Sequence, residues 1–312
     1  MPPPRCATVL VNPAARGVSE RFDGSRIVRY LGKREIEARL TVPSSPVEAA
    51  REAEQSAARG DDLLFVIGGD GSVRDAALGL ARSNTALAAV PAGTVNVWSK
   101  EAGIPRGIRR AIDAHISGQS VHIDLGRADG QAFLLMAGIG WDAEVARRVP
   151  GWLKRRVGDI AYVTQAAWML PRLRPRRARW TADGVEMDEP LALMVLGNTR
   201  LYGGRIHLTP DAAIDDGQLD LIALCPQTIV EGARIAAKLA SASFRDDPRV
   251  LEARAAEVVV DTPGLAVQLD GDFVGHTPMM FTADPGALLV SVPAGPLARI
   301  FTRAHVDRRA ER

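Results

Sequence analysis

The sequence predicts an α/β N-terminal domain with a parallel sheet, followed by a C-terminal antiparallel β-sandwich domain. Three observations predict it. Short apolar strands alternate with helical stretches up to about residue 124, three of those strands end in turns of small residues, and beyond Asp124 the pattern becomes strands joined by turns. In the first part, strands fall near Ala7, Ile36, Leu63, Ala86 and Val121, with helices over 46–59, 72–82 and 108–117. Such alternation favours a parallel sheet, because each parallel crossover needs a connection of helix length. In the second part, strands are expected at 131–137, 178–182, 191–197, 218–224, 257–261, 266–269 and 288–292. A run of this kind suits a sandwich.

At 312 residues with 46% hydrophobic content, the chain can bury two cores. Its net charge of +2 is nearly balanced. Cys6 and Cys225 supply neither a disulfide framework nor a CxxC metal site, which fits a reducing compartment, and both read as small buried apolar residues. No apolar stretch approaches the roughly 20 residues of a membrane span, and Met1-Pro2-Pro3-Pro4-Arg5 leads into a strand rather than a signal-peptide core. A cytoplasmic protein is expected, one that would meet any lipid peripherally at the inner face of the membrane.

The most informative run is Val66-Ile67-Gly68-Gly69-Asp70-Gly71-Ser72, an apolar strand that ends in three glycines around one acid before a helical pattern. Glycine lets backbone N–H groups approach an anion at the mouth of a helix, where the dipole favours negative charge. Asp70 would repel a bare phosphate, so the loop suggests a nucleotide with Mg²⁺. Taken alone, the run is equally a tight strand-to-helix turn. Two further strands end in comparable turns, Asn12-Pro13-Ala14-Ala15-Arg16-Gly17 and Pro91-Ala92-Gly93-Thr94-Val95-Asn96. In an open parallel sheet these turns gather at the carboxyl ends of the strands, where ligands bind.

In order along the chain, Asn12-Pro13 with Gly17, Gly68 to Ser72, Pro91 to Thr94 with Asn96, Gly138-Ile139-Gly140 with Asp142-Ala143, Tyr202-Gly203-Gly204, Asp216-Gly217 with Leu219-Asp220, and Asp270-Gly271-Asp272 resemble the diacylglycerol kinase catalytic family. Bacterial lipid kinases and sphingosine kinases belong to that family. The resemblance spans roughly residues 7 to 295 and implies two domains, 1–124 and 125–292, with the segment 293–312 returning to the first and the active site in the interdomain cleft. It implies that the nucleotide contacts are Asn12, Pro13, Ala14, Ala15, Arg16, Thr41, Gly68, Gly69, Asp70, Gly71, Ser72, Val73, Arg74 and Thr94, and Asn96 shares the third motif. Physical reasons support some of these: the glycines give backbone room, Ser72 can cap the helix and touch phosphate, and Arg16 supplies positive charge. Thr41 rests on position alone.

The second domain carries the remaining acids. The loop 210–220 presents adjacent carboxylates before a strand, oxygen ligands that suit Mg²⁺ or Ca²⁺. The resemblance implies a Mg²⁺ held by Asp216 and the carbonyls of Ala213 and Gln218, although an ordinary Asp-Gly turn explains the loop equally well. Asp270-Gly271-Asp272 follows a strand, and phosphoryl transfer needs an acceptor for the alcohol proton. The family usually has Asp-Gly-Glu here. The shorter Asp272 retracts its carboxylate by one methylene, which favours Asp270 as the base.

Other departures from the family are Ser72 and Asp75 after the glycines, Ala15-Arg16 in a stretch often filled by Ser and Gly, Trp98, and Arg205; of these, Trp98 and Arg205 are expected to alter the acceptor pocket. Between residues 147 and 180, Arg147, Arg148, Lys154, Arg155, Arg156, Arg172, Arg174, Arg176, Arg177 and Arg179 stand against a single acid, Asp159, with Trp152, Tyr162, Trp168 and Trp180 interleaved. This composition suits an anionic lipid surface, and equally a solvated helix face. No recognition-helix or zinc-finger pattern accompanies it, so no nucleic-acid partner is expected. His115, His122, His207, His276 and His305 lack metal-ligand spacing. The expected activity is ATP-dependent phosphorylation of a lipid hydroxyl with Mg²⁺, Asp70 and Asp270 or Asp272 serving the chemistry. A soluble acceptor, as in NAD kinases and phosphofructokinases, and a non-catalytic regulator are the alternatives.

Overall fold

The structure is a computed structural model and describes residues 3–18, 22–148, 175–204, 206–241 and 243–302. The chain divides into two compact units, residues 1–124 with 285–312, and residues 125–284.

The first unit runs β1 (Cys6–Val11), α1 (Ser25–Gly32), β2 (Glu37–Thr41), α2 (Pro46–Arg59), β3 (Leu63–Gly68), α3 (Asp70–Leu80), β4 (Ala86–Pro91), α4 (Val97–Glu101), α5 (Ile108–Ile116) and into β5 (Gln119–Ala128). β1 pairs in parallel with β2 and β3, and β3 with β4, giving the order β2-β1-β3-β4. The chain therefore reverses its direction of travel across the sheet between β1 and β3, the place where open parallel sheets form their ligand crevice. β3 is buried at every position, as expected of a strand covered on both faces. Local chemistry sets the helix limits. At α2, the Ser45 Oγ accepts the Glu48 amide at 3.2 Å, the Glu48 carboxylate returns to the Ser44 amide at 2.6 Å, and Gly60 ends the helix at φ 75°.

The second unit continues with β6 (Gln131–Phe133), β7 (Met136–Gly140), α6 (Trp141–Arg148), β8 (Arg176–Ala182), β9 (Val185–Leu191), β10 (Leu193–Gly197), β11 (Leu201–Tyr202), β12 (Ile206–His207), β13 (Leu219–Leu224), α7 (Ile229–Ala240), β14 (Val250–Ala255), β15 (Glu257–Val260), β16 (Ala266–Leu269), β17 (Asp272–His276) and β18 (Met279–Val292). One antiparallel layer has the order β14-β13-β10-β7-β16-β17, and β15, β8 and β9 belong to a second. Phe133, Ile139, Trp180, Met194, Leu221, Val258, Val267 and Phe281 fill the core of this unit.

Residues 285–312 fall with the first unit, and β18 is one strand used twice. Residues 279–282 pair with β15 in the second unit, while Val290 pairs with Leu87 of β4 in the first. Pro285-Gly286 reads as a break in the sequence, yet the strand runs through it.

Candidate active site

In the first unit, the three loops at the carboxyl ends of β1, β3 and β4 are tied to one another. The Asn12 side chain accepts the Ala14 amide at 2.9 Å and donates to the Ser72 Oγ at 2.8 Å, joining the first loop to the second. The Gly17 amide donates to the Ala92 carbonyl at 2.7 Å and the Ala92 amide to the Gly68 carbonyl at 2.9 Å, which brings in the third. A Cβ on Gly93 would lie 2.5 Å from the Gly69 Cα, and one on Gly68 would lie 2.5 Å from the Ser72 side chain. Glycine is required here for the close approach of the loops to one another. Asn96, at φ 53°, closes a ring with Gly93: its Oδ1 accepts the Gly93 amide at 2.9 Å and its Nδ2 donates to the Gly93 carbonyl at 3.0 Å.

α3 is preceded by the N-cap Gly69, which offers no side-chain cap, and a helix start of this kind is a natural seat for an anion. The expectation that Ser72 caps this helix is corrected: it lies inside α3, only 8% exposed, and its hydroxyl is held by Asn12. Asp70 has a structural task. Its Oδ2 accepts the Val97 amide at 2.9 Å and its Oδ1 the Trp98 amide at 3.0 Å, so it caps α4 across 27 residues of chain. This accounts for an acid in the loop without invoking a metal.

Pro13, Ala14, Arg16 and Thr94 are exposed, whereas Ala15 and Val73 are buried and have only backbone to offer a nucleotide. Arg74 is ion-paired with its neighbour Asp75 at 2.9 Å. Thr41 stands at the carboxyl end of β2, in register with Leu10. Trp98, expected to alter the acceptor pocket, is fully buried in the first unit. His115 is also buried. One ring nitrogen lies 2.8 Å from the Ala89 carbonyl and the other 3.0 Å from the Ser291 hydroxyl, and burial lowers its pKa to about 4.

In the second unit, Asp270 and Gly271 form a two-residue hairpin between β16 and β17, with φ 50° and 86°. The Asp270 Oδ2 accepts the Leu134 amide at 2.8 Å, and its Oδ1 accepts those of Leu135 at 2.8 Å and Met136 at 3.0 Å. The segment it holds is bound from the other side as well. The Asn198 Nδ2 donates to the Leu134 carbonyl at 2.9 Å, and the Thr199 Oγ1 donates to the Leu135 carbonyl at 3.2 Å. Sequence reading missed this network, although Asn198-Thr199 directly after a strand was a visible signal. Asp272, the first residue of β17, is exposed. The Asp270 carboxylate, expected as the proton acceptor, is thus engaged by three backbone amides, while the Asp272 side chain stands at the exposed start of β17.

The Asp216 Oδ1 accepts the Gln218 amide at 3.0 Å, and its Oδ2 is paired with the Arg254 guanidinium. Arg254 also lies 3.4 Å from the Asp220 Oδ2, an ion pair without hydrogen-bond geometry. Burial raises the Asp216 carboxyl above its usual range and pushes Asp220 up to about 6; Arg254 is the strongest influence pulling each back. The expected Mg²⁺ set of Asp216, Ala213 and Gln218 does not fit this arrangement. An ion at the Asp216 carboxylate would meet the guanidinium already there. Among the described residues, no group of three or more His, Cys, Asp or Glu side chains could hold a metal. Arg205 and residues 149–174, most of the basic and aromatic stretch, lie outside the described residues, and the Asp142 side chain is likewise not described.

Comparison with known proteins agrees with this architecture. Residues 6–128 match the diacylglycerol kinase catalytic domain, and residues 136–292 match the YegS C-terminal NAD kinase beta sandwich-like domain. The diacylglycerol kinase of Bacillus subtilis (strain 168) is 32% identical over 238 residues, 75% of this chain and 78% of that protein. That of Staphylococcus aureus (strain JH9) is 30% identical over 237 residues, 75% of each. A crystal structure from Bacillus anthracis str. Sterne, described as a candidate diacylglycerol kinase, superposes with a TM-score of 0.81 over 94% of this chain and 97% of that one, at 22% identity.

Proposed function

The chain belongs to the diacylglycerol kinase family, and on that premise we propose that it is an ATP-dependent lipid kinase, transferring the γ-phosphoryl group to a lipid hydroxyl such as that of diacylglycerol, phosphatidylglycerol or a sphingoid-like acceptor. The observation that carries this reading is the set of three interlocked loops at the β1/β3 switch point, with an uncapped helix start among them. In this reading the α3 amides and Arg16 receive the phosphates of ATP. Mg²⁺ accompanying ATP would be held through water with Asp70 and would supply charge neutralisation there.

Asp272 takes the proton of the attacking hydroxyl in this scheme. Asp270 acts as a positioning residue, because it fixes the hairpin from which Asp272 projects. Contact with a membrane would fall to the basic and aromatic stretch 147–180. No helix among the described residues is long and apolar enough to cross a membrane.

A soluble acceptor is the second reading, favoured by the likeness of residues 136–292 to the sandwich of NAD kinases. The test is transfer of label from γ-labelled ATP into a panel of lipids in mixed micelles, with NAD and fructose 6-phosphate as controls. Label in a lipid class supports the proposal. Label only in a soluble control replaces it with the second reading, and no transfer despite ATP binding would favour a regulatory role.

A further inference from the structure

The resemblance to the diacylglycerol kinase family implies a divalent cation in the loop 210–220, and the geometry of that loop disagrees. We propose that in this chain the Arg254 guanidinium takes the place of that cation, closing the loop as a covalently attached positive charge. Asp220 and Arg254 face each other in the β13–β14 ladder, so the arginine is delivered to the loop by strand register rather than by a mobile segment. From there it pairs with Asp216 and lies 3.4 Å from Asp220, bridging the turn to the strand that follows it. Both acids are largely covered, with side chains 14% and 10% exposed. A divalent ion bound at about 2.0–2.6 Å from the Asp216 oxygen would lie against the guanidinium, and two cations so close repel in a partly desolvated site. The remaining Asp216 oxygen accepts the Gln218 amide, so the Gln218 peptide is already engaged with the carboxylate through its N–H.

The proposal is independent of whether the protein phosphorylates a lipid, and its test reads stability and metal binding rather than activity. Thermal unfolding of the full chain without nucleotide is compared in EDTA and in millimolar Mg²⁺. The wild type is expected to melt at the same temperature in both. Arg254→Met is expected to melt several degrees lower in EDTA and to recover most of that loss in Mg²⁺, as the vacated place accepts the ion. The recovery should disappear in the Arg254→Met, Asp216→Asn double variant.

A wild-type midpoint that rises with Mg²⁺ and stops doing so in Asp216→Asn would overturn the proposal. So would an Arg254→Met variant as stable as wild type in EDTA, or one that Mg²⁺ does not rescue, since the arginine would then hold strands without standing in for an ion. Should Arg254→Met fail to fold, Mn²⁺ titration of the wild type and Asp216→Asn by electron paramagnetic resonance decides. Equal binding supports the proposal, and fewer bound ions in Asp216→Asn refutes it.

Discussion

Asp270 and Asp272 were both visible in the sequence as candidate bases, and the fold gives them different surroundings. A side chain at φ 50° in a tight hairpin can turn its carboxylate back onto the chain, where Asp270 collects the amides of Leu134, Leu135 and Met136. Nothing local to Asp-Gly-Asp reveals partners more than 130 residues away. Asp270→Asn presents an amide donor to backbone donors, so it should destabilise the second unit by about 1–3 kcal/mol in urea unfolding. Asp272→Asn should lower kcat about 10²–10⁴-fold. Equal kcat for Asp272→Asn and wild type would remove Asp272 from the chemistry.

His115 yields a pH prediction at the same scale. Its folded pKa of about 4 lies below its ordinary value of 6.5, so between those values the unfolded chain binds the extra proton. The stability this residue contributes is complete above about pH 6.5 and lost as pH falls toward 4, by up to about 3 kcal/mol. His115→Gln should flatten that part of the stability profile, measured by denaturant unfolding across the range. An unchanged slope would show that other groups set it.

Among the elements, the strands and helices of the first unit were largely legible, because full burial leaves unbroken apolar runs such as Leu63–Gly68 and because the Ser45, Pro46 and Gly60 signals bracket α2. α1 and the short α4 were not among the expected helices, and the start of α4 is fixed by Asp70 from another loop. In the second unit β9, β14 and β17 escaped because charged or turn-forming residues interrupt their apolar positions, and α6 and α7 were assigned no element. Missing β14 hid Arg254 and its pairing with Asp216. Gly93→Ala should raise the KM for ATP and lower the unfolding midpoint, because its Cβ would sit 2.5 Å from the Gly69 Cα. Asp70→Ala should lower stability by about 1–2 kcal/mol through loss of the α4 cap and also weaken ATP binding. ATP affinity unaffected by either change would separate these loops from the nucleotide.

For the whole molecule, fold class and family could be read from ordered motifs, because turn chemistry must be written locally. A strand that pairs in two units, as β18 does, leaves no local signal where the chain passes from one to the other. The metal expectation likewise depended on what stands opposite the loop. The acceptor remains the property on which the account turns. The direct measurement is a single-turnover reaction with γ-labelled ATP and mixed lipid micelles, followed by extraction of lipid from water. The account predicts label in the lipid phase for the wild type and its near absence for Asp272→Asn. Label confined to the aqueous phase, or moving into NAD instead, would contradict it.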